Sequence, residues 1–270
     1  MKTSTVLVAS LAWAFVAFPA PPRASADGTP PAMDGAPPAM DGTPPADAAA
    51  QVKVAQADLD TAVKAKDDGA VATAAKKLGG LFGATTDAAV KGSIAKDLCQ
   101  VVKQAKLPSG RKAALEALVA TDDGATAWKS GLAGLYPNND ADDPEKFNLE
   151  IVGAVGALHP EGAIDTLIET FRKGKQADLA AKAVSALGNY HKSKWREQIL
   201  EEIYKAGKNM VPSRAPGKNP SAEAMARWGA IGQAIGKALD TLTGTSMGNP
   251  EEWFKKIDEA KKQYKGLFKD

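Results

Sequence analysis

One cysteine, two histidines and 6% aromatic residues leave little material for a disulfide scaffold, a metal cage or an aromatic-lined cofactor site. Cys99 has no second cysteine to pair with, so no internal disulfide staples this chain. It sits in IAKDLCQVVKQAK, where Ile94, Leu98, Val101, Val102 and Ala105 mark one apolar face, and it is expected to be buried as a small hydrophobe. His159 precedes Pro160, and His191 lies in GNYHKSKW. Neither has a second ligand at helical spacing, so both read as solvated turn residues rather than metal ligands. Ser246 stands in Gly244-Thr245-Ser246-Met247-Gly248, the spelling of G-x-S-x-G, but a helical run and not a strand leads into it, so it does not read as a nucleophile elbow. Charge of one sign is also lacking. The formal net charge is +2, and residues 51–190 hold 17 basic against 18 acidic side chains, while residues 191–270 hold 15 against 10. That mild C-terminal bias is far from the dense basic stripe of a nucleic-acid binder. Finally, no segment alternates apolar and polar residues with period two, which leaves no pattern for a half-buried sheet.

Long apolar runs are confined to the start. Lys2 precedes a thirteen-residue apolar run at 6–18, and Ala24-Ser25-Ala26 supplies the small-x-small pattern of a cleavage site. As a helix that run spans about 20 Å, short of the roughly 30 Å bilayer core. Residues 1–26 therefore read as a signal peptide. The mature chain, expected to be periplasmic or extracellular, keeps 32 basic and 32 acidic residues because the leader holds Lys2 and Arg23 and no acid.

What is present is organised simply. Residues 27–46 read DGTPPAM, DGAPPAM, DGTPPA. Proline pairs fix φ and remove donors, and Asp-Gly favours turns, so residues 27–50 are expected to be an extended spacer. From residue 51 to 270 the texture is helix after helix, about eleven in all, broken by short glycine- or proline-containing separators that include Gly207. In AIDTLIETFRKG, Ile164, Leu167, Ile168 and Phe171 share a face; in KWREQILEEIYKAG, Trp195, Ile199, Ile203 and Ala206 do the same. Ala74 and Leu78, Ala114 and Leu118, and Ala154 and Leu158 recur every forty residues, each assigned to the first helix of a pair. The fold class is all-α, and the pairing points to a helical-hairpin repeat solenoid, because one hairpin cannot bury its own apolar face. The alternative is an irregular α-bundle.

Residues 231–244, IGQAIGKALDTLTG, have the outline of a phosphate loop. The metal-binding hydroxyl after Gly236-Lys237 is replaced by Ala238, Ile231 occupies the first glycine position, and no strand precedes. Trp228, Ile231, Ile235, Leu239 and Leu242 form a helical stripe instead. Gly229, Gly232 and Gly236, each costing about 1 kcal/mol inside a helix, are expected to admit a neighbouring helix pressed close.

Downstream, ALDTLTGTSMGNPEEWFKKIDEA carries Leu242-Thr243-Gly244, Gly248, Pro250, Glu251-Glu252 and Trp253. Gly244 suits a left-handed helix end, and Asn249-Pro250-Glu251-Glu252 reads as N-cap, N1 proline and acidic first turn. The segment resembles bacterial HEAT-like repeat proteins, in which a leucine-threonine-glycine helix end is followed by a glycine turn and a tryptophan-bearing helix. The resemblance implies an α-solenoid that binds macromolecules along a surface, with Trp253 packed back on the preceding helix. It specifies no partner.

Two loops carry candidate function. In NNDADDPEKF, Asn138, Asp140 and Asp142 fill the first, third and fifth places of a calcium loop, but Asp143 replaces the turn glycine and Leu149 the closing glutamate. A capped acidic loop, with Asp143 before Pro144, fits as well. Residues 207–220, GKNMVPSRAPGKNP, read as an irregular loop holding Lys208, Arg214 and Lys218 and no acid. With Lys192, Lys194 and Arg196 they form a candidate basic rim for an acidic partner. No cofactor and no catalytic constellation is expected. The functional expectation is an exported, non-enzymatic interaction or scaffold module of the cell envelope, with a self-associating envelope component as the alternative and an enzyme as a third.

Overall fold

The computed structural model describes residues 45–104, 106–135, 144–212, 220–260 and 263–268. The leader, residues 27–44 of the heptapeptide repeats, Asn138, Asp140, Asp142, Asp143, Arg214 and Lys218 lie outside them. Eleven helices run along the described chain: α1 (Pro45–Ala65), α2 (Asp68–Ala84), α3 (Ala88–Val102), α4 (Pro108–Ala120), α5, α6 (Pro144–Leu158), α7 (Ile164–Lys173), α8 (Ala177–Gly188), α9 (Arg196–Met210), α10 (Ala222–Thr243) and α11 (Pro250–Glu259). The fifth is irregular. It starts at Gly124–Ala127, widens into a π-helical turn at Trp128–Leu132 kinked at Gly131, and ends at Ala133–Leu135. A Cβ at Gly131 would stand 2.8 Å from the Cβ of Cys99, so the kinked backbone lies directly on α3. The protein is all-α; no strand occurs among the described residues.

Helix starts follow the capping chemistry. Asp67, Asp87, Asp123, Ser221 and Asn249 each accept a hydrogen bond from a backbone N–H in the first turn of the helix they begin. Pro108 and Pro250 occupy early positions where the missing N–H is harmless. At Gly244 the backbone turns left-handed, φ 70°, and ends α10 as its sequence implies.

The helices sort by parity. Even helices touch in series, α2 on α4, α4 on α6, α6 on α8 and α8 on α10, while odd helices α1 and α3, α7 and α9, and α9 and α11 adjoin along the other side. Each odd helix of the pairs α1–α2, α3–α4, α7–α8 and α9–α10 packs on its even partner. Close approach in the even row runs through small residues. A Cβ at Gly79 would lie 2.8 Å from that of Ala117, one at Gly156 2.8 Å from that of Ala186, and one at Gly188 2.9 Å from the Ala238 Cα. Ala74, Leu78, Ala114, Leu118, Ala154 and Leu158 are all buried on α2, α4 and α6. They belong to the second helix of each odd–even pair, not the first. The forty-residue step stops there, because α7 and α8, at 10 and 12 residues, are shorter than α3, α4 and α6, at 15, 13 and 15.

Side chains reach across hairpins to backbone groups as well. Asp68 accepts from the N–H groups of Ser109 (3.0 Å) and Gly110 (2.7 Å), capping α4 from the start of α2. Arg227 on α10 donates to the carbonyls of Gly174 (2.5 Å) and Lys175 (2.7 Å). Partial desolvation pulls the Asp68 pKa upward, but hydrogen bonds from Gly110 and Ser109 outweigh it and hold the carboxyl below its ordinary value. The unfolded chain therefore binds this proton more readily. The stabilisation is present above about pH 4 and is lost as pH falls through the folded-state pKa. Asp68→Ala is expected to cost about 1 kcal/mol at pH 7 by denaturant titration, with the difference from the parent shrinking below about pH 4.

Four further expectations are corrected. Helix α1 begins at Pro45, inside the segment read as spacer, because an N1 proline followed by alanines favours helix. Gly207 does not stop α9, which runs on through Lys208 to Met210; a Cβ there would lie 2.7 Å from Phe254 Cζ, so this glycine makes room for α11. Trp195 is not on the buried stripe of Ile199, Ile203 and Ala206 but is 44% exposed, since it caps α9 instead of lying within it. The three glycines of α10 do not form one ridge against a helix. Gly229 faces open space, Gly232 meets the ring of Trp228 on its own helix, and Gly236 lies under the carbonyl of Gly248, which would be 2.4 Å from its Cβ.

Candidate functional site

Two turns face each other at one end of the odd row. The first, between α6 and α7, contains His159, Pro160 and Glu161; His159 takes a left-handed φ of 35°. The second, between α8 and α9, runs from Asn189 to Trp195. Its backbone is tied by Ser193 N–H to Tyr190 O (2.9 Å) and Arg196 N–H to Ser193 O (3.1 Å), and Ser193 Oγ accepts from Trp195 N–H (3.2 Å). Across the gap, Asn189 Nδ2 donates to Gly156 O at 2.6 Å and the Tyr190 hydroxyl to Pro160 O at 2.9 Å. Burial, with the charge of Glu161, pushes the Tyr190 pKa upward, so its hydroxyl stays a neutral tie and not a base.

Three contiguous cavities open along this line. One of about 460 Å³ is lined by Gly156, His159, Glu161, Asn189, His191 and Lys192 among others. A second, about 180 Å³, shares Glu161 and adds Ile164, Asp165, Trp195 and Gln198. A third, about 450 Å³, shares Asp165 and Gln198 and continues past Ile168 to Arg172 and Glu202. Together they form a furrow between α7 and α9. The two histidines, expected as turn residues, both line the first cavity. His159 Nδ1 is 3.0 Å from Ala157 O, and because a carbonyl only accepts, Nδ1 carries the proton. No cluster of three or more histidine, cysteine or acidic side chains able to hold a metal occurs among the described residues. Ser193 Oγ donates to Glu161 Oε1 at 3.3 Å, and among the described residues no hydrogen bond joins it to either histidine.

The furrow is charged on both sides but mostly self-paired. Arg172 meets Glu202 at 3.3 Å, Lys173 pairs with Glu169, and Lys194 Nζ lies 3.7 Å from Glu161 Oε2. Among the described residues, the Asp165 carboxylate has no hydrogen-bond or ion-pair partner, and it lies beside the exposed indole of Trp195.

Of the six basic residues of the expected rim four are described, and these four are committed to separate surroundings. Lys192 lines the first cavity, Lys194 is paired to Glu161, and the Arg196 guanidinium lies 4.5 Å over the Phe268 ring. Lys208 sits twelve residues farther along α9, about 18 Å away by helical rise, and pairs with Asp258 at 2.9 Å. Arg214 and Lys218 fall outside the described residues. Of the calcium-loop positions only Leu149 is described, half-buried on α6. Cys99 is buried as expected, and desolvation pushes its thiol up to about 12. No described helix is long and apolar enough to cross a membrane. The signal that could have found the furrow was Trp195, read as core when its place directly before α9 marked it as a cap. No family model, curated protein or solved structure matches this chain.

Proposed function

We propose that this chain is an exported, non-enzymatic binding module of the cell envelope, a HEAT-like hairpin stack that holds a protein segment in the furrow between α7 and α9. The observation that carries this reading is the furrow itself: a groove floored by packed helices, open to solvent, with an exposed tryptophan at its centre. The leader-like start supports export to the periplasm or beyond, and the proline-rich repeats support a spacer between this module and whatever lies at its N-terminal side. Neither a cofactor nor a nucleic acid is part of the proposal. A second reading, self-association of the helical array, draws on the other exposed large apolar side chains, Val54 at 57% and Met225 at 44%.

Cysteine-directed photo-cross-linking separates them. Buried Cys99 does not label, so Gln198→Cys carries a single benzophenone in the furrow and Gln233→Cys, exposed on α10, a single one outside it. In the producing cell's envelope fraction, residue 198 is expected to capture a protein other than itself and residue 233 is not. Adducts only of the chain with itself favour the second reading, and equal capture at both positions contradicts furrow binding.

A further inference from the structure

The centre of the furrow already holds a cation. Lys194 Nζ stands 5.4 Å from the centroid of the Trp195 ring and 3.7 Å from Glu161 Oε2. An aromatic face and a carboxylate are the two groups that recognise an ammonium or guanidinium. A further carboxylate, Asp165, lines the same small cavity without a hydrogen-bond or ion-pair partner among the described residues. Ile164, buried below, supplies an apolar floor for an alkyl stem. Lys194 itself is largely exposed, its side chain 71% accessible, so the contact it makes is weak and replaceable. Beside it the turn is held by the Ser193, Tyr190 and Arg196 hydrogen bonds, which fix Trp195 before any partner arrives.

We infer that the furrow between α7 and α9 takes a lysine- or arginine-bearing peptide segment of a partner protein, one cationic side chain displacing Lys194 over Trp195 and pairing with Asp165 and Glu161. Charge complementarity selects this occupant. An acidic segment would meet the unpaired Asp165, and a wholly apolar one would strand that carboxylate against it. The partner is thus of the opposite sign to the one the basic residues suggested, because Lys194 and Lys208 are already matched to acids of this chain.

The inference rests on the furrow reading but is tested separately, with defined probes. A fluorophore-labelled peptide alternating alanine and lysine is titrated into the full chain and followed by anisotropy, beside analogues with norleucine or glutamate in place of lysine. The lysine peptide is expected to bind at least about tenfold more tightly than either analogue. Trp195→Ala should weaken it about fivefold, Trp195→Phe less, and Asp165→Asn about two- to fivefold. Lys194→Ala should tighten binding about two- to fivefold by vacating the ring, whereas Lys237→Ala, an equal loss of charge at an exposed position on α10 outside the furrow, should leave it within about twofold. Circular dichroism checks folding; if Trp195→Ala unfolds, the Phe and Lys194 variants decide. Equal binding by the norleucine peptide, an unaffected tryptophan variant, or equal gains from Lys194→Ala and Lys237→Ala overturns the inference. So does absence of lysine-peptide binding. If residue 198 still cross-links a partner in that case, furrow binding stands and only the cationic occupant falls.

Discussion

Trp253→Ala is expected to destabilise the protein by about 3–5 kcal/mol, read as a lower denaturant midpoint with unchanged slope. Trp253 is fully buried where α11 folds back on α10, and its indole N–H donates to Asp240 Oδ1 at 2.7 Å. That carboxylate also accepts from the N–H of Met247 (2.9 Å) and of Gly248 (3.1 Å to Oδ2), so one acid on α10 organises the entire turn into the last helix. Truncation to alanine leaves a large apolar void and removes one donor at once. Trp253→Phe keeps most of the packing, and Asp240 retains its backbone donors, so the expected cost falls to about 1–2 kcal/mol. A Trp253→Ala variant within about 1 kcal/mol of the parent would mean that α11 is not docked as described.

Alanine substitution of two glycines on the same helix should give opposite signs. Gly229 has open space around its missing Cβ, so Gly229→Ala is expected to stabilise by about 0.5–1 kcal/mol through helix propensity alone. Gly236→Ala would bring a methyl to 2.4 Å from Gly248 O and 3.0 Å from Gly248 C. Those are backbone atoms in a turn clamped by Asp240, and they cannot swing aside as a flexible side chain would. The strain exceeds the propensity gain, and a net loss of about 2–3 kcal/mol is expected. Thermal and denaturant melts of the two variants check this; a Gly236→Ala variant as stable as the parent or more so would show that α10 is not pressed against that turn.

Local chemistry was legible in the sequence, and long-range geometry was not. Ser221, Gly244 and the Asn249-Pro250 start act through neighbours within a few residues, and each stands where its type predicts. The apolar face around Cys99 needed only helical spacing. Gly207 was read as a stop because its reason, Phe254, lies 47 residues away in the chain. Of the glycines in α10 only Gly236 makes room for another segment, and spacing alone could not tell a neighbouring helix from a turn, an intrahelical ring or open solvent. Charge was misleading for the same reason. Lys208 looked uncommitted within a run lacking acids, yet its partner Asp258 lies fifty residues on. The furrow belongs to this second kind of information. Glu161, Asp165, Trp195 and Gln198 meet only because α7 and α9 are set side by side, and no local pattern links them.

Everything proposed for the furrow depends on alternate helices lying beside one another, even on even and odd on odd. The sharpest probe of that order is a pair of cysteines across α8 and α10. A Cβ at residue 188 would lie 3.3 Å from that of Ala238, about 0.2 Å short of the span a disulfide bridges, and 2.9 Å from the Ala238 Cα, so α8 and α10 must part by a few tenths of an ångström for the bridge to close. Gly188→Cys with Ala238→Cys, oxidised mildly, is expected to close within one chain, leaving Cys99 as the single free thiol under denaturing titration and the helical circular dichroism intact. Three free thiols after oxidation, or bridges only between separate molecules, would contradict the stacking order.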